Sequence, residues 1–269
     1  MTFVFVHGSF GNSFSWTPLM RELTLRGHRA LAVDLPGHGF SAAYSAAYQA
    51  PQDEAGLATA PSAMAGVTLA DAVDHVIDIL RRATAHGPVI LVGHSRGGLT
   101  LTGVGNKAPE LVDRLVYISA WCCVESTVGE YPAPVLPGEL AGDPATLGAL
   151  RLNWRTADPA MLAAWREAIL ADGTEQEFLA YLDTLEPDES LDAGTERVDA
   201  ATWGRIPRTY VRLARDNSIP PALQDRFIRE ADALTPDNPF EVHTLDSSHV
   251  GFLIHPQQAA TVLSRQSST

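Results

Sequence analysis

The chain has 269 residues, of which 45% are hydrophobic and 19% charged, and its formal net charge is −13. A chain of this length predicts one large domain that buries enough apolar surface to fold without a disulfide or a structural metal. Because a strongly acidic chain repels phosphate backbones, the composition argues against nucleic-acid binding. The two cysteines, Cys122 and Cys123, are adjacent and match no disulfide or zinc-ligand spacing.

The sequence shows no feature that would place it in a membrane. No apolar stretch approaches the ~20 residues that a membrane-spanning helix requires. Met1 leads directly into an apolar, strand-like segment, without a charged leader region or a cleavage site. We therefore expect a cytoplasmic protein with no membrane partner. The oligomeric state is left open, with a homodimer among the alternatives.

Six short apolar or β-branched runs alternate with helical patterns along the chain. Their apolar character is nearly continuous, which is typical of parallel strands covered on both faces. The runs lie at residues 2–7, 30–34, 89–93, 115–119, 209–213 and 241–245. This alternation of strands and helices predicts an α/β fold with a mostly parallel sheet and right-handed crossovers.

Helical patterns occupy several intervals between these runs. Apolar residues recur at helical spacing over 69–80, a segment that Thr68 opens with Asp71 three residues later as a capping pair. Further helices are predicted to begin at Pro220, since proline suits a first helical turn, and near Pro256.

A long insertion interrupts the alternation. Residues 124–204 begin with a run rich in proline and glycine and continue with helical patterns at 159–171 and 175–185. We interpret 124–204 as a helical cap inserted between the fourth and fifth strands. Residues 1–123 and 205–269 then form one core, and no linker divides the chain into independent domains.

A G-x-S-x-G motif, Gly93-His94-Ser95-Arg96-Gly97, follows the third predicted strand. In such a motif the serine stands on a strained strand-to-helix turn, where flanking glycines remove side chains that would clash. The turn would point the N–H of Arg96 at a reacting carbonyl oxygen, and the helix N-terminus behind it would favour negative charge. We predict Ser95 as a nucleophile; the alternative is an ordinary glycine-rich turn.

A serine nucleophile needs a base, and nine histidines are candidates. His249 follows the last predicted strand, and catalytic groups of open parallel sheets gather at the carboxyl edge. Asp216 follows the fifth strand and would reach the same edge, so we predict that it orients the imidazole of His249. The alternative for His249 is a loop histidine that backbone groups satisfy.

The loop after the first strand is predicted to complete an oxyanion hole with Arg96. Ser9 is the first choice for the second N–H donor and Phe10 is the second choice. The guanidinium of Arg96 leaves two interpretations open, a contact with a substrate carboxylate or phenolate and a salt bridge to a nearby acid. Four residues are predicted to bind substrate: Gly8, Trp121, Cys122 and Val250.

Five segments together resemble the α/β-hydrolase superfamily: HGSFGNSFSW, DLPGHG, GHSRGG, ARDNSIP and SSHVGF. They are most similar to the branch of plant methyl esterases and hydroxynitrile lyases and its bacterial relatives. The resemblance implies an α/β-hydrolase fold, a triad in the order Ser95, Asp216, His249, and no cofactor or metal. Lyase members carry threonine at the position of Gly8 and lysine at the position of Val250, so both characteristic lyase groups are absent.

The sequence thus predicts a serine hydrolase that cleaves an ester, thioester or lactone of a small to medium, partly apolar molecule through an acyl-enzyme. One alternative is a lyase or a carbon–carbon bond hydrolase that uses the same triad. The other is a non-catalytic small-molecule binding protein on a hydrolase scaffold, which would bind its ligand without turnover.

Overall fold

The central feature of the computed structural model, which describes residues 1–135 and 137–266, is a sheet of six parallel strands. The strands of the described residues in chain order are β1 (Thr2–Val6), β2 (Arg29–Val33), β3 (Val89–Ser95), β4 (Arg114–Ala120), β5 (Ala149–Arg151), β6 (Asp188–Ser190), β7 (Arg208–Leu213) and β8 (Glu241–Leu245), and all but β5 and β6 belong to this sheet. The central sheet has the order β2-β1-β3-β4-β7-β8. All five of its pairings are parallel, which confirms the predicted sheet.

Helices cover both faces of this sheet. In chain order they are α1 (Thr17–Leu25), α2 (Glu54–Thr59), α3 (Leu69–Ala83), α4 (Gly97–Lys107), α5 (Pro144–Leu147), α6 (Pro159–Ile169), α7 (Glu175–Leu182), α8 (Pro221–Leu234), α9 (Gly251–Ile254) and α10 (Gln257–Arg265). Among residues 1–135 and 137–266, every helix is too short or too polar to cross a bilayer.

The alternation of side chains along β1 shows how the two faces are filled. Val4 and Val6 pack into the cluster that holds α3, α4 and α8, whereas Phe3 and Phe5 pack into the cluster of α1 and α10. Because successive side chains of a strand point to opposite faces, a strand covered on both sides must be apolar at every position. This burial explains why the strand runs are continuous rather than alternating.

Helix α3 forms where its capping residues predict it. Thr68 accepts a hydrogen bond from the N–H of Asp71, and the Asp71 carboxylate accepts one from the N–H of Thr68, which completes a capping box. The predicted apolar face lies inward, and its buried members are Leu69, Ala72, Val73, Val76, Ile77, Leu80 and Ala83.

The segment between β4 and β7 contains strands as well as the helices α5, α6 and α7. Strands β5 and β6 form a two-stranded antiparallel sheet in which Leu150 lies opposite Glu189. The expectation of a purely helical insertion is therefore incomplete, because strands of three residues are too short to show a period. This small sheet contacts the loop after β1, since Glu189 Oε2 accepts the N–H of Phe10 at 2.9 Å, and Glu186 N–H, just before β6, donates to the carbonyl of Phe10 at 2.8 Å.

A buried ion pair holds the small sheet together. Arg151 binds Asp188 through Nε and Nη2 at 2.6 and 2.7 Å, and its Nη1 donates to the carbonyls of Leu57 and Ala60. The Arg151 residue is only 2% exposed.

We expect Arg151→Ala to lower the free energy of unfolding by about 3–5 kcal/mol, because it leaves a buried carboxylate without its partner. Urea titration measures this difference. Arg81, whose ion pair with Asp78 lies on the surface, supplies the matched control Arg81→Ala, which should change stability little. Equal effects of the two substitutions would contradict the prediction.

Candidate active site

Ser95 ends β3 on a tight turn in which its φ is +54°, a value in the left-handed region that non-glycine residues rarely adopt. The flanking glycines are required by close contacts. A Cβ on Gly97 would lie 2.7 Å from the carbonyl oxygens of Val6 and His7, and one on Gly93 would lie 3.0 Å from the carbonyl of Gly97. The motif therefore allows the turn to pack against the end of β1 while the half-buried Ser95 lines a cavity.

Asp216 and His249 follow β7 and β8 and form a buried pair at the same edge of the sheet. His249 Nδ1 lies 2.6 Å from Asp216 Oδ2, which also accepts a hydrogen bond from Ser119 Oγ at 2.6 Å. Asp216 Oδ1 accepts the N–H groups of Ser218 and Ile219 at 2.7 and 2.8 Å. Because a carboxylate only accepts hydrogen bonds, Nδ1 must donate, which selects the neutral tautomer whose Nε2 carries the free lone pair that a base needs.

The base and the serine line one cavity, and His94 packs behind the base. The imidazole rings of His94 and His249 lie 4.4 Å apart between centroids. Burial, reinforced by the neighbouring His249, holds the pKa of His94 well below its ordinary value, so this ring stays neutral. No hydrogen bond joins Ser95 to His249 within the described part of the chain; such catalytic bonds commonly tighten only when substrate binds.

His7 organises the loop that follows β1. Its Nε2 accepts the N–H of Leu35 at 3.2 Å, and its Nδ1 lies 2.9 Å from the carbonyl of Gly8. Burial, together with the nearby His38, lowers the pKa of His7 to about 3, so the ring is neutral and Nδ1 carries the donated proton. The N–H of Gly11 also donates to Gly8 at 3.2 Å, which closes the loop into a turn.

The two predicted N–H donors in this loop differ in their partners. The N–H of Phe10, whose φ is +58°, donates to Glu189 Oε2 at 2.9 Å. This bond corrects the second choice for the oxyanion hole, since the Phe10 N–H is already committed to a buried carboxylate. In contrast, the N–H groups of Ser9 and Arg96 donate to no residue in the described ranges.

The side chain of Arg96 points away from the serine. Its Nε lies 3.7 Å from Glu189 Oε1, and its Nη2 donates to the carbonyl of Asp192. Arg96 is absent from the lining of the cavity at Ser95. Of the two interpretations that the sequence leaves open, the structure shows the salt bridge.

The cavity at Ser95 has a volume of about 220 Å³. Gly8, Trp121 and Val250 line it, as the sequence predicts, together with Ser95 and His249. Further aromatic side chains line it as well: Phe10, Trp16, Trp154 and Tyr181. Among the described residues, no Asp, Glu, Lys or Arg lines the cavity.

Cys122 does not line the cavity, which corrects its prediction as a substrate-binding residue. Its side chain is fully buried in the core beneath the sheet edge, and burial raises the pKa of the thiol well above its ordinary value. Trp121 and Cys122 follow β4 in an extended segment, where adjacent side chains point to opposite sides. Only one of the two can therefore face the cavity, and it is Trp121.

The end of α6 anchors both loops that carry the acid and the base. Residues next to Asp216 and His249 donate hydrogen bonds to the last carbonyl oxygens of α6 and to the carboxylate of Asp172, which follows this helix. The bonds are Asn217 Nδ2 to Glu167 O (2.8 Å), Ser218 Oγ to Ala168 O (2.9 Å), Val250 N to Ile169 O (3.0 Å) and Ser248 N to Asp172 Oδ2 (2.9 Å). The insertion is thus part of the site rather than a separate lid.

Sequence reasoning missed Ser119 and Glu189. Ser119 carried a signal, since it is a polar side chain at the end of an apolar run whose last residues reach the catalytic edge. Glu189 carried none, because it lies in a three-residue strand of the insertion. Within residues 1–135 and 137–266, no cluster of His, Cys, Asp or Glu is arranged to hold a metal ion.

Gly8 lies directly against the nucleophile, since a Cβ on Gly8 would lie 2.7 Å from Ser95 Cβ and 3.3 Å from its Oγ. We expect Gly8→Ala to lower kcat/KM for ester substrates by about 100-fold, because a displacement of ~1 Å at a reacting atom is enough for such a loss. The matched control is Gly129→Ala, at an exposed position where a Cβ meets nothing within 4 Å. A wild-type kcat/KM in the Gly8→Ala variant would contradict this prediction, because it would show that the added methyl group does not displace Ser95.

Comparisons with known proteins place this site in context. A pyrethroid hydrolase of Sphingobium wenxiniae is 26% identical over 266 residues, which cover 97% of this chain and 85% of the relative. Putative methylesterase 14 of Arabidopsis thaliana is 22% identical over 271 residues, with 97% of this chain and 70% of the relative covered. The crystal structure of polyneuridine aldehyde esterase matches with a TM-score of 0.72 at 20% identity, covering 99% of this chain and 98% of that chain.

These relatives confirm the predicted resemblance to plant methyl esterases and their bacterial relatives. The parallel six-stranded sheet agrees with the fold of the similar solved structures. The sequence profile of the alpha/beta hydrolase family matches residues 3–262, nearly the whole chain. The chain therefore belongs to the alpha/beta hydrolase family.

Proposed function

We propose that the protein is a serine hydrolase that cleaves carboxylic esters, thioesters or lactones through an acyl-enzyme. The observation that carries this proposal is that Ser95, His249 and Ser9 line one cavity. Ser95 lies on the strained turn, Asp216 binds His249 from outside the cavity lining, and the N–H groups of Ser9 and Arg96 have no partner in the described ranges. A nucleophile, a base, an orienting acid and an oxyanion hole are the parts that acyl transfer requires.

In the first half of the reaction, His249 Nε2 takes the proton of Ser95 Oγ while that oxygen bonds to the substrate carbonyl carbon. The carbonyl oxygen becomes negative and accepts hydrogen bonds from the N–H groups of Ser9 and Arg96. Asp216 stabilises the imidazolium that forms, through the bond to Nδ1. The tetrahedral intermediate then expels the alcohol or thiol, which takes the proton from Nε2.

In the second half, a water molecule attacks the acyl-enzyme. His249 Nε2 accepts a proton from the water as its oxygen bonds to the acyl carbon, and the same two N–H groups hold the new oxyanion. Collapse of this intermediate breaks the bond to Ser95 Oγ, which regains its proton from His249. The products are the free acid and the regenerated enzyme.

The substrate is proposed to be small to medium, partly apolar and uncharged. The cavity is walled by Trp16, Trp121 and Trp154, and no charged side chain in the described ranges faces it. A substrate carboxylate would lose its hydration there without gaining a partner, because Arg96 is engaged by Glu189. The relatives named pyrethroid hydrolase and methylesterase support ester cleavage as the reaction class.

Two alternatives stand beside the hydrolase. A lyase, which would cleave its substrate without water uptake, and a carbon–carbon bond hydrolase would both use the same triad. Gly8 and Val250 argue against the lyase, because they stand where lyases carry threonine and lysine. A non-catalytic binding protein is disfavoured by the complete set of catalytic groups.

We also keep a cytoplasmic location as a proposal, supported by the free thiols of Cys122 and Cys123.

Labelling with a fluorophosphonate, followed by peptide mass spectrometry, tests the nucleophile. We expect modification of Ser95 alone, since this serine combines the strained turn, a place in the cavity with His249 and the proposed oxyanion hole. Ser95→Ala should abolish labelling and lower kcat by about 10⁶-fold. Labelling at another residue, or retained turnover in Ser95→Ala, would exclude the mechanism, whereas ligand binding without labelling would support the binding protein.

Asp216 and Ser119 provide a graded test of the orienting acid. Asp216→Asn should lower kcat by about 10⁴-fold, because an amide at this position favours the wrong tautomer of His249. Ser119→Ala removes one of the hydrogen bonds to Asp216 and keeps the charge, so we expect a loss of about tenfold or less. Steady-state kinetics on a nitrophenyl ester measure both, and equal losses would contradict this assignment.

The charge of the substrate can be varied at nearly constant size. We expect nitrophenyl hexanoate to be cleaved with a kcat/KM at least about 100-fold above that of the mono-nitrophenyl ester of adipic acid, which ends in a carboxylate. An unpaired charge in an apolar cavity costs several kcal/mol. Equal rates would show that the acyl chain does not enter the cavity.

A further inference from the structure

The side chain of Glu189 is a buried carboxylate with no assigned role. Glu189 lies in β6 of the insertion and is 3% exposed. Its Oε2 accepts the N–H of Phe10 at 2.9 Å, and its Oε1 accepts the N–H of Ser190 at 2.8 Å. The carboxylate thus lies directly behind the loop that carries the Ser9 N–H.

The same carboxylate reaches the second segment of the oxyanion hole. Glu189 Oε1 lies 3.7 Å from Nε of Arg96, whose main-chain N–H is the other proposed donor, and Oε2 lies 3.7 Å from Nε2 of His38. Burial by itself would raise the pKa of Glu189, but the contact with His38, the guanidinium of Arg96 and the Phe10 N–H lower it to about 2. The side chain is therefore ionised throughout the neutral range, and it joins both donor segments.

We propose that Glu189 is a positioning residue that sets the separation of the two oxyanion-hole donors, Ser9 and Arg96. This inference rests on the serine hydrolase function proposed above. The side chain does not line the cavity at Ser95, so it acts through the backbone rather than on the substrate.

The conformation of Phe10 shows why such a contact is needed. A bulky residue rarely adopts a φ of +58°, so this turn persists only where its surroundings hold it. Glu189 holds the N–H of Phe10, Glu186 N–H holds its carbonyl at 2.8 Å, and the ring of Trp154 packs against its ring. Because Ser9 directly precedes Phe10, fixing this peptide restricts the orientation of the Ser9 N–H.

The expected kinetic signature follows from when the donors act. An oxyanion hole binds the charged transition state more strongly than the neutral ester, so its distortion should lower kcat and leave KM nearly unchanged. A general loss of structure would instead weaken ground-state binding as well. These two effects are separable with a matched pair of inhibitors.

The test compares Glu189→Gln and Glu189→Ala with the control Glu241→Gln. The Glu241 carboxylate also faces an arginine and a histidine, Arg114 and His243, but it lies at the start of β8, at the sheet edge opposite Ser95. The transition-state probe is an alkyl trifluoromethyl ketone, whose carbonyl carbon bonds to Ser95 Oγ and whose oxygen becomes the oxyanion. The ground-state probe is an ether of the same shape, which forms no such bond.

We expect Glu189→Ala to lower kcat by about 10–100-fold, a part of the loss that follows removal of one donor. The Ki of the ketone should rise by the same factor, while KM and the Kd of the ether stay within about twofold. Glu189→Gln keeps an acceptor oxygen for Phe10 and should lose less, and Glu241→Gln should match the wild type.

Three results would overturn the inference. Wild-type kcat and ketone Ki in both Glu189 variants would show that the donors hold their positions without the carboxylate. An equal rise in the Ki of the ketone and the Kd of the ether would show a general structural role. If Glu189→Ala does not fold, the same comparison is made with Glu189→Gln. Failure of the fluorophosphonate to label Ser95 in the wild type would instead reject the serine hydrolase, and this inference with it.

Discussion

The close approach of the Ser95 turn to the end of β1 is the constraint on which the site depends. Gly97 lies against the carbonyl oxygens of Val6 and His7, and Gly8 lies against the side chain of Ser95. No residue with a Cβ fits either contact without movement. The approach brings Ser95 at the end of β3 next to the loop that follows the neighbouring strand β1. The remainder of the structure supports this contact.

The insertion supports it from two sides. The end of α6 accepts hydrogen bonds from the loops of Asp216 and His249, and the segment around β6 holds the loop of Phe10. A loop at the edge of a parallel sheet has few backbone partners of its own, because the strands it connects have ended. The insertion supplies those partners, and it adds the aromatic wall of Trp154 and Tyr181. The same segment therefore lines the cavity and holds the loops of Phe10, Asp216 and His249 in place.

The excess of acidic side chains in the sequence does not extend to the described lining of the cavity at Ser95. With a net charge of −13, acidic side chains are abundant, yet the described lining of the cavity contains none. The acids near the site are each engaged behind it: Asp216 by His249 and Ser119, Glu189 by Arg96 and Phe10 N–H. Carboxylates that are paired and hydrogen-bonded outside the cavity can orient neighbouring groups without placing negative charge inside it. Negative charge in the cavity would oppose the oxyanion of the proposed reaction.

The sequence by itself determined the features that depend on local chemistry. Continuous apolar runs, the capping pair of Thr68 and Asp71, and G-x-S-x-G after a strand each act over a few neighbouring residues, so they predict the sheet, α3 and the turn at Ser95. Only the tertiary structure decided which groups meet across the chain. The pairing of Arg96 with Glu189 joins residues far apart in sequence, and burial of Cys122 depends on which side of an extended segment faces the core. Such contacts follow from packing, which no local pattern encodes.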